Sequence, residues 1–122
     1  MKQVYFDNAA TTAIREEVIT SMAEVMRNNY GNASSSHSFG RGSKSLLEKS
    51  RKSIASYLNV SAGEIFFTSG GTEADNLILR SAVRDLGVEE IITTKIEHHA
   101  VLNTLEQLQK EYNISVQFLK LE

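Results

Sequence analysis

From Ala13 onward, apolar residues recur at Ile14, Val18, Met22, Val25 and Met26, and this spacing gathers them on one face of a helix. Thr12 is the predicted N-cap, and Glu16 and Glu17 fall in the electropositive first turns. Asn28, Asn29 and Gly31 end the helix. Upstream, Val4-Tyr5-Phe6 reads as a short extended piece, and Asp7-Asn8-Ala9-Ala10-Thr11-Thr12 as the loop after it. Downstream, Asn32-Ala33-Ser34-Ser35-Ser36-His37-Ser38 is too rich in side chains that compete for the backbone to be regular, which predicts a donor-lined loop. A second helical stripe follows at Leu47, Ile54 and Leu58. Its remaining faces carry Arg41, Lys44, Lys49, Arg51 and Lys52 against Glu48, a local charge of +4. Such a face is ordinarily the solvated side of an amphipathic helix, with phosphate or partner binding as the alternative.

After Asn59 the period changes. Glu64-Ile65-Phe66-Phe67-Thr68 predicts a strand, Ser69-Gly70-Gly71-Thr72 a tight turn, and Ala74, Leu77, Ile78 and Ala82 a helix running toward Gly87. Glu90–Thr94 predicts a second strand, Val101, Leu105, Leu108 and Tyr112 a further helix, and residues 114 to 121 a third strand. Strand, helix, strand, helix, strand is the arithmetic of βαβ units with parallel strands, so the expected class is α/β. The organisation is residues 1–60 as an extended segment, loops and two helices, and residues 61–122 as a βαβαβ part. A sheet of three parallel strands has too few layers to be covered on both faces, which predicts an incomplete sheet whose last strand invites association.

Composition narrows the chemistry. With 122 residues, 41% of them apolar, the chain suits one compact domain. Fifteen acids against thirteen bases leave a net charge of −2, too even for a general polyanion binder, so nucleic acid is not an expected partner. Zero cysteines exclude disulfides, thiolate metal sites and a catalytic thiol from these residues. No apolar run approaches the ~18 to 20 residues that span a bilayer, and the expected location is cytoplasmic. Zero prolines, where ordinary usage of ~5% predicts about six, leaves the loops without that rigid residue.

Two segments carry candidate chemistry. Phe66-Phe67-Thr68-Ser69-Gly70-Gly71-Thr72-Glu73-Ala74-Asp75-Asn76 joins strand to helix through two glycines and three hydroxyl residues, a junction suited to an anion. Glycines allow close approach, first-turn N–H groups point outward, and the helix dipole adds about half a positive charge. The plain structural alternative is a glycine turn capped by Ser69 or Thr72. The segment is neither a dinucleotide fingerprint nor a Walker loop, since no lysine follows the glycines. The second segment is Glu97-His98-His99, which opens the next helix at the end of a strand. Ligands of open α/β folds sit at that sheet edge, so Thr72 and His98 are expected to share a pocket. The positive end of a helix suits a neutral imidazole, which can stack on an aromatic cofactor or relay a proton. A capping or surface role for His98 is the alternative. A metal site is disfavoured, because His98 and His99 diverge by ~100° on a helix and only the remote His37 could join them.

These segments resemble a family. Tyr5-Phe6-Asp7-Asn8-Ala9-Ala10-Thr11-Thr12, Gly31-Asn32-Ala33-Ser34-Ser35-Ser36-His37, the residues from Ile65 to Asn76, and Ile96-Glu97-His98-His99-Ala100-Val101 are similar, in order and spacing, to the N-terminal motifs of NifS-like cysteine desulfurases, class V aminotransferases of fold type I. The resemblance implies a pyridoxal-phosphate enzyme, usually a homodimer, that takes sulfur from L-cysteine as a persulfide for iron–sulfur cluster assembly. By position it implies that Gly71 and Thr72 contact the cofactor phosphate and that His98 stacks on the ring and assists proton transfer. It implies that Ala9, Ala10, Thr11, Asn32 and His37 border the substrate entrance. No role is implied for His99 beyond a structural one, and no metal.

Two departures stand out. Ala13 and Ala33 occupy places where many relatives carry proline, which removes a fixed φ from both loops. The family's Schiff-base lysine, pyridinium-pairing aspartate, persulfide cysteine and carboxylate-binding arginine belong to parts beyond residue 122. None of Lys2, Lys44, Lys49, Lys52, Lys95, Lys110 or Lys120 stands in a Ser-x-His-Lys setting. The expectation is thus an N-terminal part of such an enzyme, one wall of its cofactor site, inactive alone. The alternatives are a non-catalytic α/β binding module, half of a split enzyme, or another reaction of the same family such as selenocysteine lysis.

Overall fold

The computed structural model describes residues 3–121; Lys2, and Glu122 after the third predicted strand, lie outside the described residues, as does Met1. The chain divides between Ile65 and Phe66 into two compact units.

In the first unit, the segment before the helix turns on itself. The Tyr5 hydroxyl lies 2.9 Å from the Asp7 carbonyl and 3.2 Å from that of Thr11, and Ala10 N–H donates to the Asp7 carbonyl at 3.1 Å. Helix α1 spans Glu16–Asn28. It begins three residues later than the apolar pattern predicts, and Arg15, not Thr12, is its N-cap. The reason is electrostatic and local. The Arg15 carbonyl takes the first helical N–H groups, from Val18 and Ile19 at 3.0 Å each, which puts Glu16 and Glu17 at the very start, where the dipole acts most strongly. Among the described residues, none of α1 is buried.

Helix α2 spans Ser38–Leu58 and buries Gly40 and Ala55. It stops at Asn59, which adopts the left-handed conformation at φ 55° that asparagine tolerates better than most residues. A short 3-10 turn at Ala62–Glu64 follows, closed by the Glu64 carboxylate accepting from both the Ser61 N–H and hydroxyl. The Arg51 guanidinium donates to the Ile65 carbonyl and pairs with Glu48, which ties α2 to this turn.

The second unit holds the packed core. Helix α3 is Gly71–Arg84, strand β1 is Glu90–Thr94, helix α4 is His99–Tyr112 and strand β2 is Ser115–Leu119. The strands pair in parallel, with Glu90 opposite Ser115 and Thr94 opposite Leu119. Val83 of α3, Leu108 of α4 and Ile114 form the buried cluster, and Leu79, Ile91 and Val116 pack on it. Leu105 and Leu108 are fully enclosed.

The α/β class and the parallel pairing are as the sequence predicts, with four α-helices and two strands among the described residues. The first predicted strand is absent. Glu64 belongs to the 3-10 turn and residues 65–68 are assigned to no strand. The β-branched and aromatic composition of Ile65-Phe66-Phe67-Thr68 favours extension, but a strand exists only against another backbone. Among the described residues, no helix is long and apolar enough to cross a membrane.

Candidate functional site

Two helix starts in the second unit face one cleft. At α3, the N-cap is Gly70, which offers no side chain to the first turn. The amides of Gly71, Thr72 and Glu73, and the Thr72 hydroxyl, bond to nothing among the described residues; the first N–H to find a partner is that of Ala74, to the Gly70 carbonyl at 3.2 Å. The glycines are not needed for the fold. A Cβ on Gly70 or Gly71 meets nothing within 4 Å, and Gly70 lies in extended backbone open to any residue. Two small residues with unpaired N–H groups before open space leave room for a ligand's anionic group.

Ser69 does not share in that offer. Its N–H and hydroxyl both donate to the Glu73 carboxylate, at 2.6 and 2.7 Å. Neither Ser69 nor Thr72 is the cap of this helix, as the plain structural alternative has it. The bond from the Ser69 amide, then that from its hydroxyl, holds the Glu73 carboxyl below its ordinary value of 4.5, against a small opposing effect of burial.

At α4 the N-cap is His98, whose Nδ1 accepts from the Ala100 N–H at 3.1 Å. An Nδ1 that accepts carries no proton, so the neutral ring holds its hydrogen on Nε2. The capping alternative and the ligand role are therefore compatible: one nitrogen is taken by the backbone, the other is left for chemistry.

Thr72, Asn76, His98, His99, Ala100, Asn103, Thr104 and Gln107 line the same cleft, about 340 Å³ in volume. The expected meeting of Thr72 with His98 is thus found. His99, set aside as structural, is also on the cleft wall, its ring 6.2 Å from that of His98 and tilted by 60°. Sequence reasoning missed Asn103, Thr104 and Gln107. Their signal was present, since Ala100, Asn103, Thr104 and Gln107 recur at helical spacing beside the apolar stripe of Leu105 and Leu108.

The residues expected at the substrate entrance lie in the first unit. Ala9, Ala10 and Thr11 sit exposed on the turn that Tyr5 clasps. Asn32 and His37 organise their loop: Asn32 Oδ1 accepts from Ser34 N–H at 2.9 Å, its carbonyl accepts from Ser35 N–H at 2.9 Å, and His37 Nδ1 accepts from Gly40 N–H at 3.3 Å. These bonds order the loop around Ala33 without a proline.

Residues 4–122 match the model of the class-V aminotransferases. A cysteine desulfurase IscS of Methanosarcina thermophila is 47% identical over 111 residues, covering 88% of this chain and 27% of that protein. Among solved structures, a NifS-like protein superposes with a TM-score of 0.88 at 40% identity, covering 97% of this chain and 33% of the other. SspA in complex with cysteine superposes with a TM-score of 0.83 at 31% identity, covering 94% of this chain and 33% of that one. The chain thus spans little more than a quarter of the curated relative's length. With nearly every residue inside the family match, and two helix starts converging on one cleft, this chain belongs to the class-V aminotransferase family.

Proposed function

We propose that this chain forms one wall of the pyridoxal-phosphate site of a cysteine desulfurase that acts on L-cysteine. The observation that carries the reading is that Thr72 and His98 line one cleft. The donors fit the cofactor's two ends: unpaired amides and a hydroxyl at Gly71 and Thr72 for a phosphate, and an imidazole with a free Nε2–H for an aromatic ring. When bound, pyridoxal phosphate supplies an electron sink for bond breaking at the substrate. Gly71 and Thr72 bind its phosphate and fix its position. His98 stacks against the ring and holds a proton at Nε2 for transfer, while the Ala100 N–H keeps Nδ1 from competing. Ala9, Ala10, Thr11, Asn32 and His37 border the path of the substrate. The complete enzyme is cytoplasmic and works as a homodimer, with its sulfur passing to iron–sulfur cluster assembly.

No cysteine is present to carry a persulfide and no lysine stands in a Ser-x-His-Lys setting, so these residues alone release no sulfide. The test is a titration of the protein with pyridoxal phosphate, followed by backbone amide NMR. The Gly71 and Thr72 amides shift on binding, and Thr72→Ala weakens affinity about tenfold, the loss of one charge-assisted hydrogen bond. Shifts confined to other residues overturn the reading. Sulfide release from L-cysteine by the unaided chain overturns its inactivity.

A further inference from the structure

We propose that Asn76 is a positioning residue that sets the phosphate-binding turn of α3 against the His98 cap of α4, with Thr104 as its partner. The inference rests on the reading of Thr72 and His98 as two halves of one site. Asn76 Nδ2 donates to the Thr72 carbonyl at 2.8 Å. A carbonyl only accepts, so that contact fixes the amide's orientation and turns Oδ1 toward Thr104. There the Thr104 hydroxyl, 2.9 Å away, donates to it. Thr104 is buried at 3% exposure, the one buried polar residue among those described. Its Oγ1 also lies 2.7 Å from the Ala100 carbonyl, and the Ala100 N–H donates to His98 Nδ1 at 3.1 Å. The single Thr104 proton is thus shared between Asn76 Oδ1 on α3 and the Ala100 carbonyl in the first turn of α4, the residue whose N–H holds His98.

The residue types suit this role narrowly. A primary amide donates to Thr72 and accepts from Thr104 at once; aspartate would set an oxygen against the Thr72 carbonyl, and leucine would leave the buried Thr104 hydroxyl without its cross-helix partner. Apolar packing between α3 and α4 holds the helices together, with Val83 and Leu79 against Leu108 toward their far ends. The Asn76–Thr104 bond is directional and lies beside the cleft, so it fixes the register of their first turns where a ligand reads it.

A ligand that touches both walls must feel this link, and one that touches a single wall must not. The experiment compares pyridoxal phosphate, which has a phosphate and a ring, with inorganic phosphate, which has only the first. In the full chain, Thr104→Val weakens pyridoxal phosphate about fivefold and leaves inorganic phosphate within twofold, whereas Thr104→Ser, which keeps the hydroxyl, restores the original ratio. Asn76→Leu shows a larger loss for pyridoxal phosphate, about tenfold, for the two bonds removed. Equal losses for both ligands, or none, overturn the proposal, since general loosening does not discriminate between them. If the unsubstituted chain binds neither ligand, the reading under Proposed function fails on its own. The link is then decided by hydrogen exchange at Ala100, which Thr104→Val accelerates and Thr104→Ser does not; unchanged exchange overturns it.

Discussion

The two units carry helices of similar amphipathic pattern and arrive at opposite ends of the burial scale. In the second, Leu105 and Leu108 of α4 are 1% and 0% exposed, and Leu108 is enclosed with Val83 and Ile114. In the first, Val18, Ile19 and Met22 of α1 leave 46, 44 and 45% of their surface open. Periodicity marks which face of a helix is apolar and says nothing about what covers it. Burial in the second unit comes from a parallel strand pair and a second helix meeting α4; α1 has no such partner among the described residues. Mutation should therefore act through the core in one unit and through the backbone in the other.

The largest effect should come from pairing one apolar deletion in each unit. Leu108→Ala removes a fully enclosed side chain and should cost about 2–5 kcal/mol, whereas Met22→Ala should stay within about 0.5 kcal/mol. Urea denaturation with hydrogen exchange read separately in α4 and α1 measures both, and equal costs would erase the contrast. Next comes Gly40→Ala in the first unit. The added Cβ would lie 2.4 Å from the Ser35 carbonyl oxygen and 2.6 Å from that of Asn32, so the loop or the helix must move, at about 1–3 kcal/mol. Gly42→Ala, on the same helix with nothing within 4 Å, should instead stabilise by about 0.5–1 kcal/mol. Thermal melts of the two variants should shift in opposite directions; a shared direction would show that close backbone approach does not govern this unit.

The smallest effect is acid titration of the α3 start. The Glu73 carboxyl is held below 4.5 by Ser69, so its bonds stabilise the fold in full above that pH and are lost as pH falls through the lowered folded value. The Ser69 amide proton should titrate with a midpoint under 4.5, and the titration should vanish in Glu73→Gln; a midpoint at or above 4.5 would contradict the lowered value.

Much of this was legible in the residues. The helical stripes of α2 and α4, both strands of the pair, and the convergence of Thr72 with His98 follow from spacing and from where parallel strands end. The start of α1 was not, because Thr12 is a good cap by type while Glu16 and Glu17 gain more by sitting at the very first positions. Residues 65–68 have strand composition but form no strand among the described residues, and pairing is a non-local outcome that no local pattern reveals. The Asn76–Thr104 bond joins residues 28 apart, and only the packing of α3 on α4 brings them to 2.9 Å.

The carboxylate clasped by Ser69 would shape the selectivity of the proposed anion site at the same helix start. Glu73 sets a negative charge beside the very amides that would greet a guest, and that charge opposes the dipole's pull. Recognition of a phosphate there would depend on direction more than on long-range attraction: N–H and O–H groups would read the tetrahedral spread of oxygens, and salt that screens charges beyond about 10 Å would leave that reading intact.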